Sequence, residues 1–194
     1  EEEETLKSLV IPVTSSASGG AGQFIEVFPE ELPEIAPSVL VQILADEDAP
    51  LSTWADAALL YVQQKREREG SEILTSACDR EEQCGNRDHR ARVLASAGIA
   101  CLTQAASGNH AGDGEPSSTS NNNNMEEWRA MADTRFMRAG KVDQLFPMTW
   151  VGKGMLNLSI GRIDQARFFF ETTLKQCGRV LPALLGMAAV RMAE

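Results

Sequence analysis

The chain has 194 residues, 18 Lys and Arg against 28 Asp and Glu, a formal net charge of −10 and 43% apolar residues. A chain of this size buries about 70% of the surface that its unfolded form exposes, so its core requires neither a metal nor a disulfide among its four cysteines. It lacks a run of about 20 apolar residues and opens on Glu1 to Glu4, so neither a membrane span nor a signal peptide is expected, and it reads as soluble and intracellular.

The charge is uneven. Through Pro50 eleven acidic residues face Lys7 alone, and the rest of the chain is balanced. A body without a basic excess has little with which to neutralise phosphates, so direct nucleic-acid binding is not expected. Lys65, Arg66 and Arg68 alternate with glutamates, the pattern of a solvated helix face.

In chain order, Leu9 to Val13 is a short apolar piece, and Ser15 to Gly22 reads as a flexible linker. Phe24 to Phe28 alternates like a short strand. Ser38 to Glu47 carries Val39, Leu40, Ile43 and Leu44 on one helical stripe, with Pro37 suited to the first turn. Leu51 to Lys65 continues with Trp54, Ala58, Leu59, Tyr61 and Val62, and Ser52 or Thr53 could cap it. Ser71 to Cys78 is a further helix, and the polar stretch Cys78 to Asp88 reads as a connection. Ala91 to Ala105 and Met125 to Ala139 are helical, separated by Ser107 to Asn124. That insertion has no large apolar side chain to offset the entropy of ordering, and is expected to be disordered. Helices at Pro147 to Ile160, Asp164 to Cys177 and Leu181 to Glu194 complete an all-α chain of short paired helices.

Paired helices call for a search for periods. The tetratricopeptide pattern, which recurs every ~34 residues, asks for a large residue at its fourth position, small ones at eight and twenty, a large apolar one at twenty-four and a small one at twenty-seven. Trp54 in the fourth place brings Ala58, Gly70, Leu74 and Ala77 onto the other marks, with Tyr61 on the aromatic mark at eleven. Trp150 there brings Gly154, Ala166, Phe170 and Thr173, with Gly161 at the turn, and one period further stand Leu184 and Ala188. Trp54, Ala58, Tyr61, Leu74, Ala77, Trp150, Gly154, Ala166 and Phe170 are therefore assigned to packing within and between repeats. The step from Trp54 to Trp150 exceeds two whole periods, and the insertion together with the Cys78 to Asp88 connection would supply the surplus. The register of the middle hairpin stays open. The expected fold is an all-α tetratricopeptide-repeat solenoid over 38–194, interrupted at 107–124 and truncated in its last repeat. An acidic, largely extended segment over 1–37 precedes it. An ordinary helical bundle is the alternative.

No catalytic constellation is apparent. Cys78 and Cys84 stand too far apart for the usual zinc pair, and His89, Cys101 and His110 do not repair the spacing. Gly152-Lys153-Gly154 falls within a helix, and Ser18 to Gly22 lacks the ending that phosphate binding needs. Asn157-Leu158-Ser159 is a sequon in a helical context. No enzyme, metal or cofactor is expected, which leaves binding by the concave face formed by the first helix of each pair. A basic clamp for a terminal carboxylate is missing, because Ala55, Leu59, Val151 and Met155 occupy its places. Leu59, Val62, Val151, Met155 and Leu158 form an apolar candidate groove for a partner helix or extended segment, or else serve burial against neighbouring repeats.

The run Ile25 to Trp54, IEVFPEELPEIAPSVLVQILADEDAPLSTW, resembles the start of the CTR-nine family, the tetratricopeptide scaffold subunit of the RNA polymerase II associated factor (PAF) elongation complex. Glu31-Leu32-Pro33, Ala49-Pro50-Leu51 and Trp54 stand at the family's marks. Tyr61 to Lys65, Asn86 to His89 and Leu181 to Gly186 are similar too. Gly178, where a proline is common, and the Ser/Asn-rich insertion depart from it. The resemblance implies a non-catalytic nuclear scaffold of transcription elongation, connected with chromatin and histone modification. It implies that the N-terminal repeats hold another PAF subunit, with RNA polymerase II engaged indirectly. Phe24, Val27 and Phe28 of the acidic segment are further expected contacts. The alternative function is an adaptor that reads short client peptides in assembly or trafficking.

Overall fold

The computed structural model describes residues 8–13, 23–107 and 118–193, the last stretch with side chains from 124 onward. The Ser15 to Gly22 linker lies outside the described residues, as do 108–117 of the insertion. The chain forms two compact units, Glu1–Gly85 and Asn86–Glu194.

The first unit begins with strands β1 (Leu9–Pro12) and β2 (Phe24–Val27), antiparallel with Leu9 opposite Val27 and Pro12 opposite Phe24. Side chains alternate across a strand, so Leu9, Ile11 and Val27 are buried while Val10 and Phe24 face outward. The apolar piece at Leu9 is thus the partner of the expected strand. Helix α1 (Pro37–Asp46) places Pro37 in its first turn and buries Leu40 and Leu44. Helices α2 (Leu51–Gln63) and α3 (Glu67–Arg80) form the first hairpin, with α1 packed on α3 and β1 on α2. Neither Ser52 nor Thr53 caps α2, whose N-cap is Pro50. The expected connection at Cys78 to Asp88 is largely helical, with α3 reaching Arg80 and a 3-10 turn following at Glu81–Gln83.

Both short turns around α2 use the same device. At the end of α1 the Ala49 amide bonds back to Leu44 O at 2.9 Å, and at the end of α2 the Arg66 amide bonds to Tyr61 O at 2.9 Å. Each closure needs a left-handed residue one place earlier. Asp48 (φ 46°) and Lys65 (φ 62°) supply it.

The second unit contains α4 (Arg87–Ser107), α5 (Ser118–Val142), α6 (Pro147–Ser159), α7 (Ile163–Cys177) and α8 (Leu181–Ala193). Asn86 caps α4, its side-chain oxygen accepting the amides of Asp88 (3.0 Å) and His89 (3.2 Å). Arg87 Nε donates to Val142 O at 2.9 Å, tying the start of α4 to the end of α5. Residues 118–124, expected to be disordered, belong to α5, and Ser107 closes α4.

Helices α4 with α5 and α6 with α7 are the second and third hairpins, and α8 packs on both α6 and α7. The helix starts keep the period. Helix α2 starts at Leu51 and α3 at Glu67, and the same interval separates the start of α6 at Pro147 from that of α7 at Ile163. Helix α8 opens at Leu181, one full period after Pro147. The fold is all-α, built of tetratricopeptide-type hairpins.

Two aromatic rings fix the middle register. Phe170 reaches α6 at Gly154 and α8 at Gly186, and Phe136 reaches α4 at Gly98 and α6 at Gly152. Both phenylalanines are fully buried. They stand one period apart, as do the glycines Gly152 and Gly186. Phe136 is therefore at position twenty-four and Gly98 at position eight, so that the middle repeat starts at Ala91. Small residues at the hairpin crossings follow suit, with Ala132 equivalent to Ala166 and Ala139 to Thr173, all buried. This redistributes the surplus over whole periods. The step from Leu51 to Ala91 exceeds one period only slightly, and the step from Ala91 to Pro147 carries the larger part. The middle hairpin accommodates its share partly by lengthening both helices.

Candidate interaction surface

At the end of α2, three side chains hold the Pro29 to Ile35 turn onto the first hairpin. Tyr61 Oη donates to Ile35 O at 3.1 Å, Arg66 Nη1 donates to Leu32 O at 2.7 Å, and Gln64 Nε2 donates to Pro29 O. The Arg66 guanidinium also lies 4.7 Å from the centre of the Tyr61 ring, and its Nε donates to Glu69 Oε1 at 3.1 Å. Leu32 is fully buried beneath them. This corrects the reading of Arg66 as part of a solvated face: it is the residue before α3, and its charge is aimed at the backbone of the acidic segment. Burial pushes the Tyr61 phenol above its ordinary range, with Arg66 opposing. The Glu69 carboxyl is lowered, first by its backbone hydrogen bond at the helix N-terminus and then by Arg66.

Of the residues assigned to packing, Trp54, Ala58, Tyr61, Leu74, Ala77, Gly154, Ala166 and Phe170 are buried. Trp54 Nε1 donates to Ala49 O at 3.1 Å, and Trp150 Nε1 donates to Gln144 O, one residue further upstream in the repeat, at 2.8 Å. Trp150 is only half-buried, resting against Phe169 at a ring distance of 5.8 Å.

The expected partner contacts divide. Phe24, Phe28, Leu59, Val62 and Met155 are exposed, at 61%, 46%, 53%, 39% and 39%. Val27 and Val151 are not surface residues. Val27 points to the buried face of the β-hairpin because its strand parity is opposite to that of Phe24. Val151 joins Ala166, Phe170, Ala183 and Val190 in one apolar cluster, because the α6 face it occupies is covered by α7 and α8. Leu158 is half-buried against that cluster.

Asn157 is buried, and its amide nitrogen donates to Lys153 O at 2.8 Å, so the sequon is engaged inside the helix. Gly152 and Gly154 receive aromatic rings and form no phosphate loop. Cys78 and Cys101 are buried, and burial raises the Cys101 thiol above its ordinary range despite the nearby Arg135. Among the described residues no group of three His, Cys, Asp or Glu is placed to hold a metal ion, and no helix is long and apolar enough to cross a membrane.

Comparison with known proteins follows the same direction. No family model matches the chain. Over 188 residues, 95% of its length, it is 31% identical to "Protein CTR9 homolog" of Arabidopsis thaliana. It spans 16% of the length of that relative.

Proposed function

The chain belongs to the CTR9 family, and from that premise we propose that it is a tetratricopeptide part of a non-catalytic scaffold in the PAF elongation complex that works with RNA polymerase II. The observation that carries this reading is the 31% identity running through 95% of the chain. It acts in the nucleus, and through the complex it is connected with chromatin and histone modification. Its task is to dock another PAF subunit. Supporting this, Leu59 and Val62 stay exposed on the first helix of the first hairpin, and Met155 on the first helix of the third. Exposed aliphatic side chains at helical spacing suit an apolar partner segment.

The test is size-exclusion chromatography with light scattering on the chain, alone and co-expressed with the other PAF subunits. A one-to-one complex that persists in high salt is the expected result, since apolar contacts are not screened. A chain that stays monomeric beside every subunit would refute docking by these repeats. A weak, rapidly dissociating complex would favour the adaptor reading instead.

A further inference from the structure

The outer edge of β2 carries a second kind of surface. The Val13 amide bonds to Gln23 O at 2.9 Å. With the register of Leu9 opposite Val27 and Ile11 opposite Ile25, the bonded pairs of this antiparallel ladder are the odd-numbered ones. Bonded and non-bonded pairs alternate. The amides and carbonyls of Phe24 and Glu26 therefore point away from β1, and among the described residues none of them has a hydrogen-bond partner. Unpaired edges of this type accept an additional strand.

The same parity sets the side chains. Phe24, Glu26 and Phe28 follow one another as aromatic, acidic and aromatic along the outward face, all exposed. The Glu26 carboxylate accepts the Ser8 hydroxyl, which holds it over the strand. The segment that carries them is acidic in sequence. Glu30, Glu31 and Glu34 of the adjoining turn are exposed, and residues 8–50 contain no Lys, Arg or His. The backbone of that turn is held in place by Tyr61, Gln64 and Arg66, so the segment that bears these carboxylates follows directly on the strand in a fixed conformation.

We propose that β2 takes up one extended segment of a protein partner, rich in Lys and Arg, as a third strand. Backbone bonds form at Phe24 and Glu26, apolar side chains of the segment rest on Phe24 and Phe28, and its cations face Glu26, Glu30 and Glu34. The inference deepens the scaffold reading and rests on it, because the segment belongs to the docked PAF subunit.

The test uses the whole chain co-expressed with the other PAF subunits. Glu26→Pro removes an edge amide that the hairpin itself does not use, and Glu26→Lys reverses the local charge. Glu26→Pro should weaken the complex about tenfold or more, and Glu26→Lys should weaken it most at low salt. Hydrogen exchange on the unmodified complex should show protection of the Phe24 and Glu26 amides that the free chain lacks. This measurement decides the matter even if the proline variant folds poorly. A wild-type complex with those two amides unprotected and unimpaired by Glu26→Lys would overturn the strand while leaving subunit docking intact. Absence of any complex would remove both. Protection of the same amides in a concentration-dependent dimer of the chain alone would overturn the basic partner in favour of a second copy.

Discussion

A β-carbon on Gly154 would sit 2.6 Å from the ring of Phe170, and the same ring comes within 2.4 Å of a β-carbon built on Gly186. Phe170 is clamped between α6 and α8 and cannot retreat from one side without pressing on the other. Phe136 is held likewise between Gly98 and Gly152. The two glycines of α6 thus receive the rings of successive repeats, which is how one helix transmits the packing of both its neighbours.

Gly154→Ala should consequently destabilise the second unit. A helical Gly to Ala change alone would gain about 1 kcal/mol, but forcing a buried ring aside costs about 1–3 kcal/mol, so a net loss of about 1 kcal/mol is expected. Urea unfolding measures it. In the double variant with Phe170→Leu the two losses should not add, with a coupling of at least about 0.5 kcal/mol. Additive losses would show that the ring is not wedged as described.

Lys65 and Gly161 occupy the same position in the first and third hairpins, and both are left-handed, at φ 62° and 76°. Beyond α6 the Arg162 amide returns to Asn157 O at 2.9 Å, the counterpart of the Arg66 to Tyr61 bond. A side chain in that conformation costs about 1–2 kcal/mol. Lys65→Gly should therefore raise stability by up to about 1 kcal/mol, and Gly161→Ala should lower it by about as much. Thermal melts of the two variants test the opposite signs.

Helix existence and the repeat rhythm were readable because they depend on side-chain size at fixed spacing, and Trp54, Ala58, Gly154 and Phe170 carry that signal individually. The middle register was not readable. Its position-four and position-eight residues, Leu94 and Gly98, look ordinary until Phe136 is seen against Gly98 and Gly152. Val151 misled for a related reason: a valine on a first helix looks the same in sequence whether its face is open or lies under α7 and α8. Val27 could have been set aside from strand parity once its pairing with Leu9 was known, but that pairing joins segments on either side of the Ser/Gly stretch. Arg66 gave no signal beyond its charged neighbours. Its role depends on the carbonyl of Leu32, and a backbone acceptor so distant along the chain leaves no mark on composition.

The latch at Arg66 predicts a response to acid. The folded Glu69 carboxyl lies below its ordinary range because of its backbone bond and Arg66. A carboxyl depressed in the folded state adds stability above its unfolded value and loses that contribution as pH falls through the folded one. Urea midpoints followed from about pH 7 to about pH 3 should decline with a component that Glu69→Gln removes. Arg66→Ala should remove only part of that component, since the backbone bond of Glu69 remains, and should also cost about 1–3 kcal/mol at neutral pH, because Leu32 O loses its charge-assisted donor. Hydrogen exchange should then rise in the Pro29 to Ile35 turn ahead of α2 and α3.

Cysteine reactivity gives an independent check of burial in both units. Cys177 is exposed and Cys84 partly so, whereas Cys78 and Cys101 are buried. The thiolate is the reacting species, and burial holds the Cys101 thiol above its ordinary range. Alkylation of the native chain at mildly alkaline pH should modify Cys177 first, Cys84 next, and Cys78 and Cys101 only on the timescale of opening. Early modification of Cys101 would contradict the packing of Phe136 and Ala132 around it.

Leu59 and Val151 separate the proposed binding role from folding. Leu59 is half-exposed on α2, and Val151 is fully buried on α6. A carboxylate at an exposed site leaves the core untouched, so Leu59→Asp should change stability by less than about 0.5 kcal/mol. If that side chain is a subunit contact, the same change should weaken the complex about tenfold or more, since it places a charge in an apolar interface. Val151→Asp should do the reverse of a clean interface variant: the cluster of Ala166, Phe170 and Ala183 has no partner for a carboxylate, and the second unit should lose several kcal/mol, about the penalty for an unpaired buried charge. Binding by Val151→Asp would then fall only in proportion to its unfolded fraction. Circular dichroism melts beside affinity titrations with the co-expressed subunits distinguish the two. Undiminished binding by a folded Leu59→Asp chain would move the docking surface away from the first helix of the first hairpin.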